Sequence, residues 1–155
     1  MTVRILKFNE TELYRLLPKN GSFLLAMNRI SNFVIYAVSA VILIGDFTLL
    51  PYFVASAVPW FASEFLKKRF HRQRPYARFG VNLRTSTKPN RAFPSSHSAT
   101  ALFLFLATVG HSPLAWLFLT VPVLRILSFQ HWITDVLAGM LIGAVTFWIT
   151  ATLLP

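Results

Sequence analysis

Three groups of residues in this chain have the types and spacing to do chemistry on a phosphate. Lys67 and, after six intervening residues, Arg74-Pro75 form the first. Pro94-Ser95-Ser96-His97 is the second, and Arg125, His131 and Asp135, with five and three residues between them, form the third. A phosphomonoester resists hydrolysis because its anionic oxygens repel nucleophiles and its alkoxide leaves poorly. A catalyst therefore needs fixed positive charge on the equatorial oxygens, an in-line nucleophile and an acid for the leaving group. Lys67, Arg74 and Arg125 supply such charge, the arginines through forked donors that match phosphate. Ser95 and Ser96 stand where a helix should begin, so their backbone N–H groups and the helix dipole can face the anion. Two histidines, His97 and His131, complete a phosphate-handling set at a membrane surface.

In series, these groups resemble the three signature motifs of the type 2 phosphatidic acid phosphatase superfamily, in the family's order. The resemblance covers residues 67–144 and, less distinctly, the whole chain. It implies that His131 is the nucleophile and forms a phosphohistidine, that Asp135 fixes its tautomer and orientation, and that His97 protonates the leaving oxygen. Four residues apart, His131 and Asp135 share a helix face where helical geometry reaches back to His131. Lys67, Arg74, Ser95, Ser96 and Arg125 would hold the phosphate, with no metal and no other cofactor. The five-span form is most similar to the small bacterial undecaprenyl-diphosphate phosphatases of that superfamily.

Two positions depart from the family pattern. Its third motif starts Ser-Arg, and here the pair is Leu124-Arg125. The serine's hydrogen bond to phosphate is then missing or supplied elsewhere. Leu124 itself is expected to face the phosphate, because Arg125 next door must point into the site. The middle of the second motif is commonly glycine, where this chain has Ser96, so that turn must form without glycine's access to positive φ.

The elements that position these residues are apolar helices. Residues 1–20 mix Leu6, Phe8, Leu13, Leu16 and Leu17 with Arg4, Lys7, Arg15 and Lys19, an amphipathic segment lying in the interface. Asn9, Glu10 and Glu12 interrupt its apolar run, which argues against a signal peptide. Apolar runs then predict spans over 22–45, 47–66, 95–110, 114–129 and 133–154, near the ~20 residues a bilayer needs. Pro51 and Pro59 should bend the second, Pro122 the fourth. Glu64 ends the second span beside the basic cluster, where a partner is available. Gly139-x-x-x-Gly143 is read as close helix packing alone. The expected architecture is one all-α domain over residues 1–155: a polytopic membrane helix bundle of about five transmembrane helices plus the N-terminal amphipathic helix, with residues 67–94 as the active-site loop.

Composition agrees: of 155 residues, 55% are hydrophobic and 13% charged, and mean hydropathy is +0.56. The net charge of +10 would raise nucleic-acid binding in a soluble protein. Its placement at membrane edges points instead to a lipid phosphate substrate and to anionic lipids as partners, with no nucleic acid. His71 and His111 read as interfacial side chains. Lys68, Arg69, Arg72 and Arg78 read as contacts to anionic lipid; Arg84, Lys88 and Arg91 fit either role. Counting crossings puts all fifteen Lys and Arg on, or snorkelling toward, one side. The positive-inside rule makes that side cytoplasmic, whereas the resemblance implies an extracytoplasmic active face on a bacterial inner membrane, the placement adopted here.

Two other classes compete. A non-catalytic protein binding anionic lipid through its basic loop explains the charge but not both histidines and Asp135. The soluble haloperoxidase branch, with vanadate in a similar pocket, is opposed by the hydropathy. Candidate substrates are undecaprenyl diphosphate, phosphatidylglycerol phosphate, phosphatidic acid and lipid A phosphates.

Overall fold

The computed structural model describes residues 10–83 and 88–154, and the regular elements among them are all helical. They are α1 (Glu10–Leu16), α2 (Gly21–Gly45), α3 (Leu50–Ala55), α4 (Ala57–Arg69), α5 (Pro75–Arg78), α6 (Ser96–Thr108), α7 (Thr120–Leu127) and α8 (Ile133–Leu153). Tight 3₁₀ segments at Phe47–Leu49 and Pro113–Leu119 precede α3 and α7. Residues 1–9 of the expected amphipathic segment, and Arg84, lie outside the described residues.

Local chemistry sets the helix ends. Asn20 caps α2 by accepting from the N–H groups of Ser22 at 3.0 Å and Phe23 at 3.3 Å. Asp46 accepts from Thr48 N–H and opens the next segment. The second span is broken at Ser56, as Pro59 predicts: proline has no N–H for the carbonyl of Ala55 four residues back. Pro122 has the same relation to Phe118, where the 3₁₀ segment gives way to α7.

Three helical stretches are long and apolar enough to cross a membrane: Gly21–Gly45, Phe47–Arg69 and Ile133–Leu153. Ser96–Thr108 and Pro113–Leu127 are shorter apolar helices. The bundle is inverted relative to a water-soluble one. Phe33, Tyr36, Ile44, Phe65 and Trp148 face outward, while Lys67, Arg74, Arg125, His131 and Asp135 are buried. Such charge is costly in hydrocarbon and sits inside only where partners compensate it. This is an all-α membrane protein.

The centre of the bundle is α6, buried on nearly every face and packed most extensively against α8. A Cβ on Gly139 would lie 2.2 Å from the Ser95 carbonyl oxygen, and one on Gly143 would lie 2.2 Å from that of Ala99. Only glycine permits this approach, so the small-residue pair does the packing expected of it. One core cluster, including Ile35, Ile42, Phe103, Leu104 and Phe118, fills the middle of the bundle. A second, of Tyr14, Leu24, Tyr76, Ala92, Phe129 and Trp132, lies under the long loop. At the opposite end, His111 Nδ1 approaches the Asp46 carboxylate at 3.2 Å and ties the two short turns together.

Candidate active site

The 70–95 loop is fastened before it reaches α6. Arg74 N–H donates to the Pro89 carbonyl at 2.7 Å and Ala92 N–H to that of Arg72 at 3.0 Å. The Arg74 side chain completes the fastening: its Nε donates to Lys88 O, one terminal nitrogen to Arg91 O, and the other to Gln130 O at 2.8 Å. A buried guanidinium thus joins the loop to the segment carrying His131.

The resulting cavity, about 420 Å³, is lined by Trp60, Glu64, Lys67, Arg74, Lys88, Arg91, Ser96, His97, Arg125 and His131. Its charged lining is five cations and the single carboxylate of Glu64, an electrostatic trap for an anion. Lys67, Arg74, Ser96, His97, Arg125 and His131 are therefore brought together as expected. Lys88 and Arg91, which fitted two roles, also line the cavity.

His131 is fully buried, and its hydrogen bonds decide its tautomer. Nδ1 lies 2.7 Å from the Ala92 carbonyl oxygen, which can only accept, so Nδ1 carries the proton. Nε2 is left with its lone pair, 3.2 Å from an Arg74 terminal nitrogen. Burial, then the guanidinium charges of Arg74 and Arg125, hold the ring well below its ordinary value of 6.5. A neutral imidazole with Nε2 unprotonated at a cationic cavity has a nucleophile's lone pair, held by the Arg74 donor until an anion draws that donor away.

The expected roles of three residues need correction. Asp135 does not hydrogen-bond His131: its nearer oxygen is 3.9 Å from Nδ1. It accepts instead from Trp132 N–H at 2.9 Å and from Arg72 at 2.7 Å. Holding the tautomer falls to the Ala92 carbonyl. Ser95 is buried but does not line the cavity; its hydroxyl caps α6 toward Ser98 and its N–H donates to the Asp135 carbonyl at 2.9 Å. The amides of Ser96 and His97, the first two of α6, are left by helical geometry without an intrahelical acceptor. Arg72 is no loose lipid contact, since it bridges Asp135 and Glu10.

The departures from the family pattern resolve here. Ser96 is the first residue of α6, and among described non-glycine residues only Phe129 has positive φ, so glycine's freedom is not required at 96. Its hydroxyl accepts from Lys67 Nζ at 2.8 Å and donates to Glu64 at 3.1 Å; Lys67 also pairs with Glu64 at 2.6 Å. Leu124 is half-buried and is not among the cavity's lining residues, contrary to expectation. Helix geometry separates neighbours by about 100°, so Arg125 points inward without its neighbour following.

Arg125 is aimed by residues the motif reading passed over. One terminal nitrogen donates to Asn28, Ser31 and Asn32 of α2, and the other lies 2.7 Å from His97 Nδ1. Its Nε is buried without a partner. Polar residues at 28, 31 and 32 fall on one face of an apolar span, a signal legible in the sequence. Because guanidinium only donates, His97 Nδ1 accepts and the ring's proton sits on Nε2. Phe129, two residues before His131, has φ 57°. This costs about 1–3 kcal/mol and persists only where packing over-determines it.

An inverted helical bundle gathers buried cations and a neutral histidine about one cavity, a set suited to an anion inside a membrane protein. The PAP2 superfamily model matches residues 48–155, and the chain belongs to that superfamily. Membership indicates phosphatase-type activity on phosphate esters, hence a hydrolase. No curated protein and no solved structure matches the chain.

Proposed function

We propose that this protein is a metal-independent lipid phosphate phosphatase working through a phosphohistidine. The observation that carries the lipid reading is a second cavity, about 350 Å³, that shares Trp60 and His97 with the cationic one. The rest of its lining comes from α2, α3, α6 and the α3–α4 junction, including Ile35, Phe53, Ala57 and Leu104, and is mostly apolar. A substrate whose phosphate fills the first cavity and whose leaving group passes His97 would lay hydrocarbon in the second. Undecaprenyl diphosphate, phosphatidylglycerol phosphate and phosphatidic acid all have that form.

In the reaction, the lone pair of His131 Nε2 forms a bond to phosphorus as the bond to the leaving oxygen breaks. Lys67, Arg74, Arg125 and the Ser96 turn hold the charge on the equatorial oxygens. Phosphate that draws donors from Arg125 releases His97 Nδ1 to take the proton carried by a monoanionic phosphate ester, and that proton returns to inorganic phosphate when the cycle closes. The resulting imidazolium gives its Nε2 proton to the leaving oxygen. Neutral His97 then takes a proton from water, whose oxygen attacks phosphorus and frees His131 and inorganic phosphate. The cations do the work a metal does in other phosphatases, and no group of three or more metal-ligating side chains gathers among the described residues. The active face lies at the extracytoplasmic side of a bacterial inner membrane.

The test is phosphate release from detergent-solubilised lipid phosphates with EDTA present. Wild-type protein should turn over and be inhibited by vanadate, while His131→Ala and His97→Ala should insert, fold and lose nearly all activity. A strict Mg²⁺ requirement would sink metal independence. A tenth of the rate surviving in His131→Ala, only about 1.4 kcal/mol in barrier, would sink the nucleophile assignment.

A further inference from the structure

The amphipathic helix α1 is docked behind the catalytic segment. Tyr14 is fully buried, and its hydroxyl donates to the backbone carbonyl of His131 at 2.5 Å. Its ring meets Phe129 edge-on at 5.2 Å and Trp132 at 5.0 Å, so it grips both sides of the histidine. Burial pushes the Tyr14 phenol up, which keeps it a donor at every working pH. One turn earlier on the same face, Glu10 pairs with Arg72 at 2.5 Å and accepts from Thr134 N–H at 3.3 Å. Arg72 continues to Asp135 at 2.7 Å and lies over the Trp132 ring at 5.5 Å.

These contacts converge on residues 129–135, and neither Glu10 nor Tyr14 lines the cationic cavity. Both also precede the residues that the family model matches, which begin at 48. Phe129 is the left-handed residue of that segment, and Tyr14 packs on it from below.

We propose that Glu10 and Tyr14 are positioning residues for the reaction, acting on His131 through its backbone and through the Arg72–Asp135 pair. The inference rests on His131 as the nucleophile. Tyr14 holds the peptide plane from which the imidazole projects. Glu10 anchors Arg72, which holds the first turn of α8. Together they keep Nε2 on its line of attack, where a misplacement of an ångström costs rate and leaves binding intact.

The experiment uses the purified full chain in detergent with short-chain phosphatidic acid as substrate. Tyr14→Phe keeps the ring and removes only the hydroxyl; Glu10→Gln keeps the shape and removes the charge. Each is expected to lower kcat about tenfold with KM close to wild type, a larger loss than the accompanying fall in thermal midpoint accounts for. Unchanged kcat in both variants overturns the proposal. So does a loss of kcat that merely tracks a lower thermal midpoint, since that is a structural role. The ¹⁵N resonances of His131 supply a readout independent of turnover: Tyr14→Phe should shift them, and unmoved signals overturn the proposal. If wild type and His131→Ala release phosphate equally slowly, the nucleophile reading has failed, and the ¹⁵N comparison alone decides whether α1 orients the ring.

Discussion

His131 and Ala92 are joined by a 2.7 Å contact between Nδ1 and a main-chain carbonyl oxygen, and this contact leaves Nε2 unprotonated, accepting from Arg74 at 3.2 Å. Because the acceptor is backbone, no side-chain substitution at 92 removes it directly. The Asp135 carboxylate, at 3.9 Å, makes no hydrogen bond to the ring.

Asp135→Asn is therefore expected to be mild for chemistry. The amide oxygen can still accept from Trp132 N–H, and Ala92 still holds the tautomer. Turnover should fall less than about tenfold, roughly 1.4 kcal/mol in barrier. The thermal midpoint should fall as well, because Arg72 loses one of its two carboxylates. A loss of three orders of magnitude in kcat would show that the carboxylate fixes the tautomer after all.

Leu124→Ser separates stability from rate. Since Leu124 does not line the cavity, a hydroxyl there meets no phosphate. The expected outcome is unchanged turnover with stability lower by about 1–3 kcal/mol, the cost of an unpaired hydroxyl in an apolar setting. A gain in kcat would mean the side chain reaches the substrate.

Gly139→Ala tests how the α6–α8 contact sets the site. The new methyl would meet the Ser95 carbonyl oxygen at 2.2 Å, and backbone cannot yield as a side-chain tip does. Overpacking of this kind costs about 1–3 kcal/mol. It also displaces Ser95, which leads into Ser96 and His97, so thermal midpoint and kcat should fall together. Gly110→Ala is the control, having nothing within 4 Å of the added carbon.

Acid should destabilise the protein through His131. Its folded-state pKa lies well below the ordinary 6.5, so between those values the unfolded chain binds a proton that the folded chain refuses. Stability is then full above about pH 6.5 and falls as pH drops through that window, by at most about 1.4 kcal/mol per pH unit for one group. His131→Gln removes this contribution. Thermal midpoints measured from pH 7.5 to 5 should fall less steeply in the variant, and identical slopes would refute the assignment.

Much of the candidate site's lining was legible in the sequence. Lys67, Arg74, Ser96, His97, Arg125 and His131 were readable from the residue types and spacing of three short motifs. Arg125 was readable also from its charge in apolar sequence, where a cation has no stable place except beside compensating partners. Helix starts were equally local: Asn20, Asp46 and Ser112 cap with their own side chains within three residues, and prolines break the two spans that contain them. Asn28, Ser31 and Asn32 were readable as one polar face, though nothing local linked that face to Arg125, about a hundred residues on.

What tertiary structure decided was direction. Ser95 and Ser96 are adjacent, yet one caps a helix and the other faces the cavity; Leu124 and Arg125 differ in the same way. The choice depends on how each helix is rotated, and rotation is set by packing such as the glycine contact between α8 and α6. Asp135 likewise went to Arg72, and Tyr14 to His131, through bonds spanning 63 and 117 residues of chain. Hydrogen bonds are short and directional, so partners that distant become definite only once the bundle has closed around them.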